Sequence, residues 1–255
     1  MPPATTRSDR AGARRSRPAQ VAEAIKRLVV EQHLKPGDRL PSEAELIERF
    51  GMAKSTIREA TRLLEAQGLV KTRTGPGGGS FVHQVTRERA QALLGNYFYF
   101  RDLTIRDIYQ LRRALEPELA AALAGRLSEE VLQRLEDNIA VYAAPAETLE
   151  EEREQHVASL RFHAILAEEA ENELLGFVIG FMASVLSDIT VERQLYAPPN
   201  AELWQRGRDY QLRLLDALRK GEAEEARRIM TDHMETAQAL MEGQEARMVR
   251  RFMTE

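Results

Sequence analysis

The residues best suited to chemistry lie close together in the first quarter of the chain, at the start of one short helical segment. Lys54, Ser55, Thr56 and Arg58 occupy the first turns of a run whose apolar residues recur at helical spacing. Cations and hydroxyls in this position can contact phosphate oxygens and base edges when a helix enters the major groove of DNA. The pattern therefore predicts a DNA-reading helix.

Capping residues and glycines mark the elements that must position this helix. Ser42 and Glu45, three residues apart, form the capping-box pattern that begins a preceding short helix. Gly51 ends that helix, because a helix C-terminus favours a residue that tolerates a left-handed backbone. Gly68 ends the DNA-reading helix in the same way. This order of elements is that of a helix-turn-helix.

A glycine-rich hairpin follows the two helices. Residues 69–73 and 80–83 have the pattern of strands, and the loop 74–79 that joins them reads TGPGGG. A nucleotide-binding phosphate loop is the alternative interpretation, but that loop needs a Lys followed by Ser or Thr and a helix after it. Glycine lets the backbone approach a phosphate closely, so Gly77 and Gly79 fit the tip of a wing. The predicted fold is a winged helix-turn-helix.

Charge divides unevenly along the 255 residues. Residues 1–85 hold 15 Lys and Arg against 9 Asp and Glu, whereas residues 86–255 hold 21 against 31. A basic head on an acidic body fits one part that faces phosphates and another that faces solvent or a small ligand. The Arg-rich residues 1–17 could pass for a transit peptide. We predict instead a disordered basic arm that attracts phosphates non-specifically.

Cysteine is absent, which excludes disulfides, thiolate zinc sites and a cysteine nucleophile. No signal peptide is evident, because residues 1–20 contain no apolar core. The most apolar run, residues 174–186, is shorter than the roughly 20 residues that span a membrane. We predict a cytoplasmic protein with no membrane partner, in which this run is a buried helix.

From residue 86 onward, strand signals vanish and apolar residues recur at helical spacing. Helices joined by short loops form an antiparallel bundle, and bundle interiors are where such proteins build ligand sites. The predicted helices run over residues 86–99, 104–125, 128–142, 148–170, 172–194, 200–219 and 222–251. The predicted fold is therefore mainly α. Its parts are the arm at 1–17, the winged helix-turn-helix at 18–85, a linker helix at 86–103, an all-helical effector-binding and dimerisation domain at 104–245, and a tail at 246–255.

The segments PSEAEL, RFG, STIREATRLLEAQGLV and GPGGGSFV, in this order, closely resemble the N-terminal domain of the GntR family of bacterial transcription regulators. The later sequence, to about Ala239, more loosely resembles the FadR-type branch of that family, with its all-helical FCD effector domain. The resemblance departs at Ala44 and Ala53, where Arg and Ser are usual, so no operator sequence is carried over. It implies a set of DNA-binding residues: Arg39, Lys54, Ser55, Thr56, Arg58, Gly77 and Gly79.

Histidine is scarce in the helical part, where only His156, His163 and His233 occur. Many FCD domains hold a divalent metal with an Asp four residues before a His, plus one His from each of two later helices. The resemblance places His163 and His233 at two of these positions, but Ser159 replaces the Asp and Gln211 the other His. Neutral Ser and Gln are weak ligands, so a zinc-like ion is expected to bind poorly. His156 lies about 10 Å from His163 along the helix and cannot share its ion.

Arg112 is the candidate for binding an anion. The segment RDIYQLRRALEPELAAALA resembles the FCD helix in which an Arg faces the cavity and pairs with an anionic effector. In the alternative interpretation Arg112 forms a salt bridge within the bundle, since Glu116 lies one turn later. Without a metal, a carboxylate could be held by direct hydrogen bonds from Arg112, His163, Gln211 and His233. The predicted effector-binding residues are Arg112, Ser159, His163, Gln211 and His233.

The chain is thus predicted to be a dimeric transcription regulator that responds to a small carboxylate and represses by binding a palindromic operator. Two recognition helices would read the two halves of such a site, because two-fold proteins read two-fold DNA. A regulator that responds to a fatty acyl thioester and an architectural DNA-binding protein without an effector stay open as alternatives. An enzyme is not expected, since no nucleophile with a base and an orienting group is visible.

Overall fold

The structure, a computed structural model, describes residues 16–99, 101 and 103–254. The chain divides into two compact units, Met1–Ala90 and Gln91–Glu255. The predicted basic arm at residues 1–17 lies outside the described residues, apart from its last two positions. Ser16 is the N-cap of the first helix, and Arg17 is the first residue of that helix.

The first unit contains three helices and one hairpin: α1 (Arg17–Glu31), α2 (Glu43–Phe50), α3 (Lys54–Ala66), β1 (Val70–Arg73) and β2 (Gly79–Val82). The strands pair antiparallel, with Val70 opposite Val82. The predictions from sequence missed α1, although Val21, Ile25 and Leu28 recur at helical spacing and are buried. Val21 and Ile25 complete the core behind α3, because α1 packs against α3.

The local signals in this unit have the geometry that the sequence predicts. Ser42 and Glu45 form both hydrogen bonds of the capping box at the start of α2. Gly51 ends α2 with φ 60°, and Gly68 follows α3 with φ 76°. Both angles lie in the left-handed region, where glycine carries no steric penalty. The winged helix-turn-helix is therefore confirmed.

The second unit is helical throughout its described residues. Its helices are α4 (Arg87–Tyr99), whose first turn belongs to the first unit, α5 (Ile105–Leu123), α6 (Glu129–Ala140), α7 (Leu149–Glu168), α8 (Glu173–Glu192), α9 (Ala201–Lys220) and α10 (Ala223–Thr254). Helix α5 packs against α10, α7 against α8, and α9 against α6 and α10. Two predicted segments differ from the structure. The linker helix predicted at 86–103 ends at Tyr99, and residues 246–254 of the predicted tail continue α10.

Helix α8 is longer than the apolar run predicted at 174–186. In the part of the chain that the structure describes, it is the one helix long and apolar enough to cross a membrane, judged by length and composition alone. A core helix passes the same test, and Ile179, Met182 and Leu186 of α8 are buried against the rest of the second unit. On the other side, Leu174 is 71% exposed. The helix therefore combines a packed inner face with an apolar outer position.

Candidate functional site

The predicted DNA-reading residues lie on the open face of α3. Lys54 is the first residue of this helix, and its N-cap Ala53 makes no side-chain capping bond. The side chains of Lys54 and Arg58 are 62% and 60% exposed. Ser55 is exposed and Thr56 is half-buried. All four side chains thus stand at the helix start, which is where a recognition helix meets DNA.

A carboxylate that the sequence analysis missed holds the two cations of this cluster. Glu43, the first residue of α2, accepts a hydrogen bond from Arg58 Nε at 2.8 Å and lies 3.2 Å from Lys54 Nζ. The hydrogen bond from Arg58 lowers the pKa of the Glu43 carboxyl, and Lys54 adds to the effect. Glu43 therefore places a carboxylate beside the start of the recognition helix, where it is paired with both cations.

The wing is held from the side by Arg39. Its Nη2 donates a hydrogen bond to the Gly78 carbonyl oxygen at 2.6 Å. A Cβ on Gly78 would lie 2.6 Å from the carbonyl oxygen of Arg73, and one on Gly79 would lie 2.9 Å from Arg39 Nε. Gly77 has φ 76°, which again favours glycine. Turn geometry therefore requires these glycines whether or not a phosphate approaches them.

A surface groove of about 380 Å³ joins α2, α3 and the wing. Of the predicted residues, it brings together Arg39, Arg58 and Gly79. The other four lie outside its walls: Lys54, Ser55, Thr56 and Gly77. Arg62, which was not predicted, also lines the groove with a side chain that is 75% exposed. Its position one turn after Arg58 on the same face is the signal that could have identified it.

The second site is a cavity of about 50 Å³ inside the helical unit. Among the predicted effector-binding residues, Arg112, Ser159, His163 and His233 line it. Gln211 is fully buried behind its wall, bonded to Ser159. The helices α5, α7 and α10 therefore bring together residues that are far apart in the sequence, and α9 closes the space between them.

Arg112 begins a buried chain of polar contacts. Its Nε donates to Glu116 Oε1 at 2.5 Å, and the other oxygen of Glu116 lies 2.5 Å from His163 Nδ1. Both Arg112 and Glu116 are 1% exposed. Arg112 and His163 hold the pKa of the Glu116 carboxyl well below its usual range, although burial opposes the shift. The salt bridge within the bundle, one of the two alternatives for Arg112, is therefore present.

The two histidines of the cavity face each other. His163 Nε2 lies 3.3 Å from His233 Nε2, with the ring planes 16° apart. Burial lowers the pKa of both imidazoles, and for His233 the neighbouring His163 and Arg112 lower it further. The Glu116 carboxylate raises the pKa of His163 and so partly offsets the effect of burial, but the same carboxylate is also paired with Arg112. Both rings are therefore neutral near pH 7.

The residues present do not fit the family's metal site. Tyr142 donates its hydroxyl proton to Gln211 Oε1 at 2.5 Å, and Gln211 Nε2 donates to the Ser159 carbonyl oxygen at 3.0 Å. Gln211, which replaces the second histidine of the family's site, is thus hydrogen-bonded to neutral groups through both its amide oxygen and its amide nitrogen. Across the described ranges, no three His, Cys, Asp or Glu side chains are grouped so that they could hold a metal ion. His163 and His233 alone are too few donors for a zinc-like ion.

Three further polar residues line the same cavity from α7. They are Glu152, Gln155 and His156, and the sequence analysis considered only His156, as a metal ligand that is too distant. Together with Ser159 and His163, they recur every three or four residues on what is otherwise the buried face of the helix. This polar stripe at helical spacing is the signal that could have identified them.

Comparisons with known proteins agree with both halves of this description. Residues 18–82 match the family model described as bacterial regulatory proteins, gntR family, and residues 107–236 match the FCD domain. The chain is 30% identical over 219 residues to the HTH-type transcriptional regulator YcbG of Bacillus subtilis (strain 168), covering 84% of this chain and 85% of YcbG. It is 28% identical over 223 residues to the putative L-lactate dehydrogenase operon regulatory protein of Escherichia coli (strain K12), covering 84% and 82%.

Among solved structures, the chain is similar to a GntR protein of Streptococcus agalactiae. The TM-score is 0.60 at 21% sequence identity, and the alignment covers 87% of this chain and 99% of the other. At this identity the likeness concerns the fold alone.

Proposed function

We propose that this chain, which belongs to the GntR family of bacterial regulatory proteins and carries an FCD domain, is a cytoplasmic repressor that a small carboxylate releases from DNA. The family membership makes the chain a DNA-binding transcription regulator and not an enzyme. Beyond the family membership, we propose that the chain represses, that it forms a dimer, that its operator is palindromic and that its effector is a carboxylate.

The exposed face of α3 supports the operator part of the proposal. Arg58 stands one turn from the helix start, and the groove beside it carries Arg39 and Arg62. A bidentate arginine can read a guanine in the major groove, whereas the other two fit phosphates. A homodimer would place two such faces on a two-fold site. The outer face of α8 around Leu174 is a candidate for the contact between copies, because an apolar residue that is 71% exposed gains from burial.

One observation carries the effector part of the proposal. Arg112 lines the cavity at 1% exposure, and its Nη2 has no hydrogen-bond partner, although Nε is paired with Glu116. A buried donor without a partner costs roughly 1–3 kcal/mol, which a ligand oxygen would offset. A carboxylate is the ordinary partner of a guanidinium edge. The lactate of the related operon named above is a small carboxylate of this kind.

The size of the cavity favours a small acid over a fatty acyl thioester. About 50 Å³ holds only a few water-sized groups, since one water needs roughly 10–15 Å³ of such space. A long acyl chain would need the surrounding helices to separate. The neutral Ser159 in the cavity wall and the neutral Gln211 behind it likewise support direct hydrogen bonding over binding through a metal.

The proposal is tested by selecting duplexes from a random pool with the native protein, then measuring release of the selected duplex by small carboxylates. We expect a palindromic site that binds two chains, and release by at least one acid. Arg112→Lys should keep DNA affinity but lose the response, because Lys cannot fill the guanidinium geometry. Arg113→Lys, an exposed neighbour paired with Glu235, is the control and should respond normally. A normal response from Arg112→Lys would overturn the effector assignment.

The metal-free pocket has its own test. In the double variant Ser159→Asp with Gln211→His, the resemblance predicts that four ligands surround one ion, together with His163 and His233. We expect about one zinc per chain in this variant after dialysis against zinc, and much less in the native protein. Equal zinc content in the two proteins would contradict the proposal. The variant Ser159→Asn with Gln211→Asn controls for the loss of the native hydrogen bonds.

A further inference from the structure

The polar residues at the far end of the cavity differ in chemistry from those around Arg112. Glu152, Gln155 and His156 lie on α7 near its N-terminal end, whereas His163 lies two turns later, about 10 Å along the helix axis. All four line the same cavity. A ligand in this space therefore meets two separate groups of polar atoms.

At the far end the available atoms are hydrogen-bond acceptors. Gln155 Nε2 donates to the Ala144 carbonyl oxygen at 2.9 Å, which orients the amide and leaves the buried Oε1 without a partner. His156 donates to the backbone oxygen of Glu152, and its buried Nε2 has no partner. Burial lowers the pKa of His156 to about 4, so this Nε2 carries a lone pair at neutral pH. The Glu152 carboxyl, 6% exposed, adds acceptor oxygens, although it already accepts one hydrogen bond from the backbone N–H of Asn200.

At the near end the available atom is a donor. Arg112 Nη2 is buried and has no partner, on a side chain that is 99% removed from solvent. Seven buried side-chain atoms lack a hydrogen-bond partner among the residues that the structure describes, and three of them belong to this one cavity. Such atoms are rare in folded proteins because each is destabilising, so their concentration indicates a built site.

Apolar side chains line the cavity beside the two groups of polar atoms and Ser159. Leu160 belongs to α7, and Leu203 and Trp204 belong to α9. The Trp204 indole N–H is already used, since it donates to the Tyr142 carbonyl oxygen at 3.1 Å. The carbon skeleton of a ligand would therefore meet apolar surface and gain by its burial.

We propose that the effector carries two functional groups: a carboxylate that accepts from Arg112, and a hydroxyl or ammonium group that donates to Gln155 and His156. The inference rests on the proposed function and names its ligand class, a small hydroxy acid or amino acid. Each end then satisfies atoms that are unpaired in the free protein. An acid without the second group leaves the two buried acceptors as unpaired as they are in the free protein, so it lacks this gain and binds more weakly.

The experiment compares acids of equal length in pairs. Straight-chain carboxylates of two to six carbons, without a substituent and with a hydroxyl or amino group at each position, are titrated into the native protein by calorimetry. We expect at least one substituted acid to bind tenfold or more tightly than its unsubstituted parent. The hydroxy and amino members of that pair show which donor the site accepts. Equal affinity within every pair would overturn the inference.

Variants at the far end separate this inference from the proposed function. In Gln155→Leu and His156→Phe, the advantage of the substituted acid should fall below about threefold, while the parent acid keeps its native affinity. Gln110→Leu, at an exposed position on α5, is the matched control and should keep the full advantage. If no carboxylate binds the native protein, the proposed function fails. If carboxylates bind and release DNA without regard to the second group, only the present inference fails.

Discussion

The same pairing of residue types occurs in two regions of this molecule with opposite surroundings. On the DNA-reading surface, Glu43 pairs with Arg58, and the two side chains are 36% and 60% exposed. In the helical unit, Glu116 pairs with Arg112, and both are 1% exposed. The distances are similar, 2.8 Å and 2.5 Å, so the solvent and not the geometry distinguishes the two pairs.

The difference determines what each pair can do. An exposed pair contributes roughly 0–1 kcal/mol, because water screens it and competes for both partners. Arg58 can therefore leave Glu43 for a DNA phosphate or base at little expense. A buried pair holds its charges in place, because separating them would leave a buried charge with neither a counter-charge nor water around it. Arg112 is consequently fixed, and it offers a ligand only the N–H groups that Glu116 does not use.

The largest expected effect comes from breaking the buried pair. Glu116→Gln leaves the Arg112 charge buried without a counter-charge, so we expect a loss of about 3–5 kcal/mol in the free energy of unfolding. Urea denaturation followed by circular dichroism measures it. The control is Glu118→Gln on the same helix, where the exposed pair with Arg227 should contribute less than about 1 kcal/mol. Equal losses in the two variants would remove the distinction between the regions.

Acid provides a second way to test the buried region. The pKa of His156 is about 4 in the folded protein and about 6.5 in an unfolded chain, so the unfolded state binds the proton first. The stability that this neutral histidine contributes is complete above about pH 6.5 and is lost as the pH falls towards 4. The loss amounts to about 3 kcal/mol at most. In His156→Gln, denaturation across this range should show a slope smaller by about one proton, and an unchanged slope would contradict the assignment.

At the surface, the expected effect concerns binding and not stability. Arg58→Ala should weaken binding of the selected duplex by about 1–3 kcal/mol. The free energy of unfolding should change little, because the side chain is 60% exposed. Fluorescence anisotropy with the selected and a scrambled duplex measures the loss. Lys71→Ala, at an exposed position on β1, serves as the control for general charge. An unchanged affinity would exclude α3 as the recognition helix.

The smallest effect is expected at Glu43. Glu43→Gln releases Arg58 and Lys54 from their anion, so binding of any duplex should tighten by about two- to fivefold at low salt. The difference should shrink as the salt concentration rises, because screening weakens phosphate contacts. Weaker binding would mean that Glu43 holds Arg58 in the orientation that reads a base, and the surface pair would then be a positioning device like the buried one.

The elements with local signals were the predictable part of this fold. Ser42 with Glu45 and the glycines at 51 and 68 act within one turn of the chain, so their geometry follows from their own sequence. The hairpin follows in the same way from the glycine loop. Helix α1 escaped prediction because its N-cap Ser16 adjoins an Arg-rich segment that has the composition of a disordered arm.

The winged helix-turn-helix, the all-helical second unit and the residues at the start of α3 follow from the amino-acid sequence, because helix periodicity, caps and turns are encoded within a few residues. The folded chain was needed to show that Glu43 binds Arg58, that Glu116 lies between Arg112 and His163, and that Gln211 is hydrogen-bonded to Tyr142 and Ser159. Apart from Arg112 and Glu116, which lie one turn apart, these contacts join residues 15 to 69 positions apart. Their partners are chosen by the packing of whole helices, which leaves no local pattern to read.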